Sequence, residues 1–86
     1  MKLSRHAEER WRQRFPRQIA DDVYADAVFI AKRSKVAKST AVRMSLKNRR
    51  AVSEGHAQLR FNKKVGAVFV CVPFDYVITV FRYGSY

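Results

Sequence analysis

Ala67-Val-Phe-Val-Cys-Val72 is six residues long and carries no polar side chain beyond a single thiol. The run is short for a helix and rich in β-branched and aromatic residues, so it reads as a strand. Both of its faces are apolar, which makes it a central strand covered from both sides. The rest of the chain must therefore supply its neighbours and its cover.

The neighbours are legible on either side. Asn62-Lys-Lys-Val-Gly66 has hairpin composition, and before it His56 to Phe61 alternates through Ala57, Leu59 and Phe61. After it, Pro73-Phe-Asp-Tyr76 turns the chain into a last strand over Val77 to Tyr83. Thr40 to Lys47 also alternates, with Val42, Met44 and Leu46 opposite Arg43, Ser45 and Lys47, so a half-buried strand is expected there. The same residues also suit two turns of helix. Ser34 to Ser39 reads as a polar connection and Lys47-Asn-Arg-Arg50 as a basic turn.

The cover comes from the first third. Leu3, Ala7, Trp11 and Phe15 are spaced four apart and form one apolar row on a helix. Ser4 suits its N-cap, and Glu8 and Glu9 precede Arg12 and Arg14 in the order the helix dipole favours. Pro16 ends it. From Arg17 to about Arg33, Ile19, Val23, Ala27, Ile30 and Ala31 recur at helical spacing, which predicts a second helix. The expected architecture is a single α+β domain over residues 1–86, with two N-terminal helices packed on a small, mostly antiparallel sheet of about four strands.

Charge narrows the partners. Eighteen Lys and Arg face seven Asp and Glu, giving a formal net charge of +11. Such an excess favours a polyanion: RNA or other nucleic acid, an anionic membrane surface or an acidic protein. A membrane partner is not expected, because no apolar run approaches the roughly 18 residues that a span needs. Charged residues also stand where the apolar core of a signal peptide would lie. Cys71, the single cysteine, has no partner within the chain for a disulfide, which fits a buried thiol in a reducing cytoplasm.

Beside the apolar row of the first helix runs a second row, His6, Arg10 and Arg14. Metal-independent RNA cleavage needs a base for the 2′-hydroxyl, cations for the phosphate and an acid for the leaving oxygen. Histidine and arginine supply those groups. The row also fits the solvated face of an ordinary amphipathic helix in a basic protein. His56 is a candidate second proton-transfer group or a plain strand-end residue. Lys47, Arg49, Arg50, Lys63 and Lys64, together with Arg14, make a footprint for a phosphate backbone. Tyr24, Phe69, Phe74, Tyr76, Phe81 and Tyr83 offer base-stacking surfaces unless the core claims them.

Regular alternation sends Thr79, Phe81 and Tyr83 to one face of the last strand and Ile78, Val80 and Arg82 to the other. Thr79 and Arg82 therefore share a site only if the strand twists or bulges. No metal site or cofactor is expected: the His and Cys spacing suits no zinc site, and the three glycines form no phosphate-cradling loop. A helix-turn-helix is not expected either, since it would need a third helix.

The opening Leu3-Ser-Arg-His6-Ala-Glu-Glu-Arg10-Trp-Arg-Gln-Arg14, a second helix from about Ile19 and the closing Val77-Ile-Thr79-Val-Phe-Arg82 resemble a group of short bacterial and phage domains. Those domains pair an early S-x-H-A-x-x-R-x-x-x-R helix with a closing T-V-Y-R strand, and are similar to the superfamily of compact RNases and toxins that includes barnase, the colicin tRNases and RelE. The resemblance implies a metal-independent endoribonuclease, toxin-like or a phage host-takeover factor, cutting RNA by 2′-hydroxyl attack. It implies His6 and Arg10 as catalytic residues from the first helix, with Thr79 and Arg82 from the last strand. Phe81 stands where such domains place a tyrosine, so Tyr83 or Tyr86 would have to provide the hydroxyl. An acidic antitoxin is a further implied partner. The alternative is a non-catalytic basic module that binds nucleic acid or an acidic host protein.

Overall fold

A computed structural model describes residues 1–73 and 75–84. The apolar run forms β4 (Ala67–Val72), with its first five residues buried. It lies between β3 (Gln58–Asn62) and β5 (Tyr76–Arg82) and is antiparallel to both. The sheet order is β1-β5-β4-β3-β2, where β1 (Lys2–Leu3) runs parallel to β5 and β2 (Val28–Ile30) antiparallel to β3. Among the described residues, four helices join these five strands: α1 (Arg5–Arg14), α2 (Ala20–Ala25), α3 (Lys35–Ala41) and α4 (Leu46–Ser53). The protein is α+β, with a mostly antiparallel sheet. Among the described residues no helix is long and apolar enough to cross a membrane.

Both faces of β4 are covered, as its composition requires. On one face Ala7, Trp11 and Phe15 of the first helical segment and Val23 and Tyr24 of α2 pack onto Phe69, Cys71, Val77 and Val80. On the other, Leu59, Val68, Val70 and Phe81 meet Ala37 of α3 and Met44, with Ala51 and Val52 of α4 beside them. The Ser4 hydroxyl caps α1 by accepting the Ala7 N–H at 3.0 Å, satisfying a donor that the first turn leaves free. Leu3 belongs to β1 rather than to the helix, and still packs against the same cluster.

The second helix is shorter than the spacing predicts. It ends at Ala25, and Val28-Phe29-Ile30 becomes an edge strand in register with Phe61, Arg60 and Leu59. Asp21 and Asp22 favour helix in its first turn, whereas Asp26 stands at the C-cap, where a negative charge opposes the helix dipole. β-branched and aromatic residues then gain more by pairing with β3 than by extending a helix whose next turn has nothing to bury against. Ile19, counted in the helical row, is the N-cap residue and is 66% exposed.

The strand expected over Thr40 to Lys47 is absent; those residues close α3, turn, and open α4. The Ser34 to Ser39 connection and the Lys47 to Arg50 turn are likewise helical. Serines decide it. Ser34 and Ser45 each stand in extended conformation before a helix, and their hydroxyls accept the N–H groups of Ala37 and Asn48. Of the alternating trio only Met44 is buried, while Val42 and Leu46 are exposed.

Candidate nucleic-acid interface

β5 is irregular where it matters most. Val70 stands opposite Thr79 and Cys71 opposite Val77, so Ile78 is the extra residue of a β-bulge. Val77, Val80 and Arg82 consequently face α1, and Ile78, Thr79 and Phe81 face α3 and α4. The bulge precedes Thr79, so it leaves Thr79 and Arg82 on opposite faces. Thr79 is 2% exposed, within the α3–α4 side of the core. The Arg82 guanidinium lies 5.3 Å from the centre of the Phe15 ring, on the α1 side.

Beyond the two residues paired with β1, the outer edge of β5 is closed by side chains. The Ser4 hydroxyl donates to the Ile78 carbonyl at 3.1 Å, Arg14 Nη1 donates to the Val80 carbonyl at 2.8 Å, and Arg43 Nη1 donates to the Arg82 carbonyl. Donors from α1 and from the α3–α4 turn thus protect an edge that would otherwise recruit another strand. Arg14 and Arg43 also flank the Phe81 ring, each guanidinium carbon 5.5 Å from its centre. Burial first, then the neighbouring Arg10 and Arg43, lowers the Arg14 pKa from its ordinary value. An anion held between these arginines would relieve that mutual repulsion.

His6 lies on the same helix row as Arg10 and Arg14 and is exposed. The row therefore survives, with His6 exposed and Arg10 and Arg14 half-buried, and is joined by Arg43, which alternation had placed on a strand. Thr79 and Arg82 do not join it. His56 is elsewhere: its imidazole sits 3.7 Å from Glu54 and lines a cavity of about 330 Å³ with Tyr24, Arg60 and Asp75. Of the expected stacking residues, Tyr24, Phe69 and Phe81 are core, and Tyr83 stands edge-on to Phe61 at 5.5 Å. Tyr76 is 36% exposed. Phe74 and Tyr86 lie outside the described residues.

The densest charge is on α3 and α4. Residues 27–53 contain Lys32, Arg33, Lys35, Lys38, Arg43, Lys47, Arg49 and Arg50 and no acid, and all eight are exposed. Arg49 Nε donates to the Ala41 carbonyl at 3.1 Å, which ties α4 to the C-terminal end of α3. Between the helices a cleft of about 250 Å³ has Lys32, Arg33 and Arg49 around a floor of Ala37, Met44 and Leu59. The expected Lys63 and Lys64 lie in the β3–β4 turn, lining a separate cleft with Val36 of α3 and Tyr83. The acid-free stretch was visible in the chain; reading it as connection, strand and turn scattered charges that the two helices gather.

A second polar cluster lies behind β3. The Tyr24 hydroxyl donates to Asp75 at 2.8 Å, and Arg60 is 3.5 Å from the same carboxylate oxygen. The Arg60 guanidinium stacks on Phe29 at 4.0 Å and Tyr24 at 4.8 Å. Its Nε is buried without an acceptor among the described residues. Burial pushes the Cys71 thiol up, which makes it a poor nucleophile at neutral pH. Burial and the bond to Asp75 likewise raise the Tyr24 hydroxyl.

In the unfolded chain a tyrosine ionises near pH 10. In the folded protein Tyr24 holds its proton to higher pH, so above about pH 10 unfolding releases a proton and stability falls as pH rises. Denaturant midpoints measured from pH 9 to 11.5 should decline, and Tyr24→Phe should make that decline shallower. Parallel curves for the two proteins would show that Tyr24 does not contribute.

Comparison with known protein families, with curated proteins and with solved structures gave no match for this chain.

Proposed function

We propose that this protein is a nucleic-acid-binding domain that holds the phosphate backbone of RNA across α3, α4 and the guarded edge of β5. The observation that carries this reading is the acid-free stretch 27–53, whose eight cations are all exposed, five of them on the two capped helices and Lys32, Arg33 and Arg43 in the turns beside them. Arg14 and Arg43 extend that surface around Phe81. Arginine and lysine meet phosphate oxygens directly, and the apolar floor of the α3–α4 cleft suits the face of an unpaired base. A reducing cytoplasm, where RNA is abundant, agrees with the buried thiol of Cys71. Fluorescence anisotropy with a labelled single-stranded RNA tests it. The logarithm of the affinity should fall linearly with the logarithm of salt, by about 0.7 per contacted phosphate. Absent or salt-independent binding would sink the proposal.

The second reading is a metal-independent endoribonuclease, toxin-like or a phage host-takeover factor. It is favoured by the exposed His6 standing in one helix row with the half-buried Arg10 and Arg14. It ranks second because Thr79 is buried on the far face of the sheet and Arg82 packs on Phe15. Total RNA incubated with the protein in EDTA should then be cut, and His6→Ala should abolish the cutting. An acidic antitoxin or host protein would compete for the same basic surface. RNA binding that a stoichiometric acidic partner displaces would place it there.

A further inference from the structure

The two edges of the sheet are treated differently. At β5, hydroxyl and guanidinium donors cover the carbonyls. At β2, the other outermost strand, no element among the described residues pairs with the free side. That strand is also apolar where it meets solvent, with Val28 63% and Phe29 57% exposed. Outer strands are ordinarily blunted by lysine, proline or a bulge. Ala27-Val-Phe-Ile-Ala31 has no charge, proline or glycine within it. An acid, Asp26, stands just before this segment, and a base, Lys32, just after it.

We infer that β2 pairs with β2 of a second copy of this chain, antiparallel and centred on Phe29, to make a two-fold dimer with one continuous sheet. In that register Phe29 faces Phe29, Val28 faces Ile30, Ala27 faces Ala31 and Asp26 faces Lys32. Two-fold symmetry makes each off-centre contact occur twice. The order acid, apolar, base is complementary to itself only when the copies run antiparallel. A parallel arrangement would set Asp26 against Asp26 and Lys32 against Lys32, and like charges directly opposite are destabilising.

Both charged groups are available. Asp26 is exposed and has no ion-pair partner among the described residues. Lys32 gives one donor to the Ser53 carbonyl at 3.0 Å, leaving two of its three. Phe29 is already held flat against the Arg60 guanidinium, so its ring is ordered before the partner arrives. The dimer shares only Lys32 with the proposed RNA surface, and its readout, self-association without RNA, is separate from the RNA-binding reading. Their salt responses also differ. RNA binding weakens as salt rises, whereas two chains of +11 repel each other less.

Sedimentation equilibrium of the full chain in about 0.15 M salt tests the pairing. The unsubstituted protein should show a concentration-dependent monomer–dimer equilibrium. Asp26→Lys and Lys32→Asp should each weaken dimerisation by tenfold or more, because each sets like charges face to face. A mere change of net charge would move these two variants in opposite directions. Mixing them should restore association, since each chain then meets the opposite charge at both positions. The double variant D26K/K32D should dimerise like the parent. Both positions are exposed and outside β2, and recovery on mixing itself reports that each variant is folded. A parent protein that stays monomeric, single variants without effect, or a mixture that fails to recover would each overturn the pairing.

Discussion

Trp11→Ala should lower the unfolding free energy by about 3–5 kcal/mol, the range for deleting a buried large aromatic side chain. Trp11 is 6% exposed and stacks on Phe15 at 4.5 Å and on Phe69 at 5.6 Å. Phe69 in turn meets the edge of Tyr24 at 5.1 Å. One indole therefore joins α1, the segment after it, the central strand and α2. Its N–H donates to the Gln18 carbonyl at 2.9 Å, which fixes the Pro16 turn. Small domains sit near the low end of the roughly 5–15 kcal/mol typical of native proteins, so the alanine variant should be largely unfolded near physiological temperature. Trp11→Phe keeps most of the stack and loses the bond to Gln18, so about 1 kcal/mol should go. Urea unfolding followed by far-ultraviolet circular dichroism measures both. A midpoint unchanged by Trp11→Ala would mean that α1 is not anchored through this ring.

The reason so much of this half of the fold is legible is that its signals are redundant. Ala67–Val72 has two apolar faces and one conformation that can bury both. Leu3, Ala7, Trp11 and Phe15 need cover that only a sheet can give. Val28-Phe29-Ile30 lacks that redundancy, because it is helical by spacing with Val23 and Ala27 and extended by its own composition. Pairing with Leu59, Arg60 and Phe61 settled it, and a pairing partner thirty residues away leaves no local mark. Thr40 to Lys47 failed in the opposite sense: the alternation was real, but Ser34 and Ser45 capped helices around it.

The site was legible as composition and less so as geometry. The row His6, Arg10 and Arg14 follows from helical spacing alone. Its neighbour Arg43 does not, since it reaches the end of β5 from a turn that the sequence presents as a strand. Thr79 shows the limit most clearly. A bulge was the condition for bringing it together with Arg82, and a bulge is present, yet it falls at Ile78 and so changes the wrong half of the strand. One residue of register decides whether a hydroxyl faces α1 or the α3–α4 core, and nothing in the local sequence specifies it.

Neutralising Lys35, Lys38, Lys47 and Arg50 to glutamine should weaken single-stranded RNA binding by roughly two-hundredfold at ~0.15 M salt and reduce the salt slope by about 2.8, if each contacts one phosphate. Both figures come from one source: the affinity varies as salt concentration to the power −0.7 for each phosphate neutralised. These four are chosen because they are exposed and because Arg14, Arg43 and Arg49 have structural duties. Loss of one of those would confuse an opened sheet edge or a loosened α3–α4 pair with a lost contact. The four substitutions should leave the urea midpoint nearly unchanged, since solvent-facing changes away from caps and core seldom exceed about 0.5 kcal/mol. Relieving repulsion among eight like charges acts in the stabilising direction. A variant that folds normally and binds RNA as the parent does, with the same slope, would remove α3 and α4 from the interface. The remaining candidates would then be the α1 row and the Lys63–Lys64 turn, which the same measurement on Arg10→Gln and on the paired lysine variant separates.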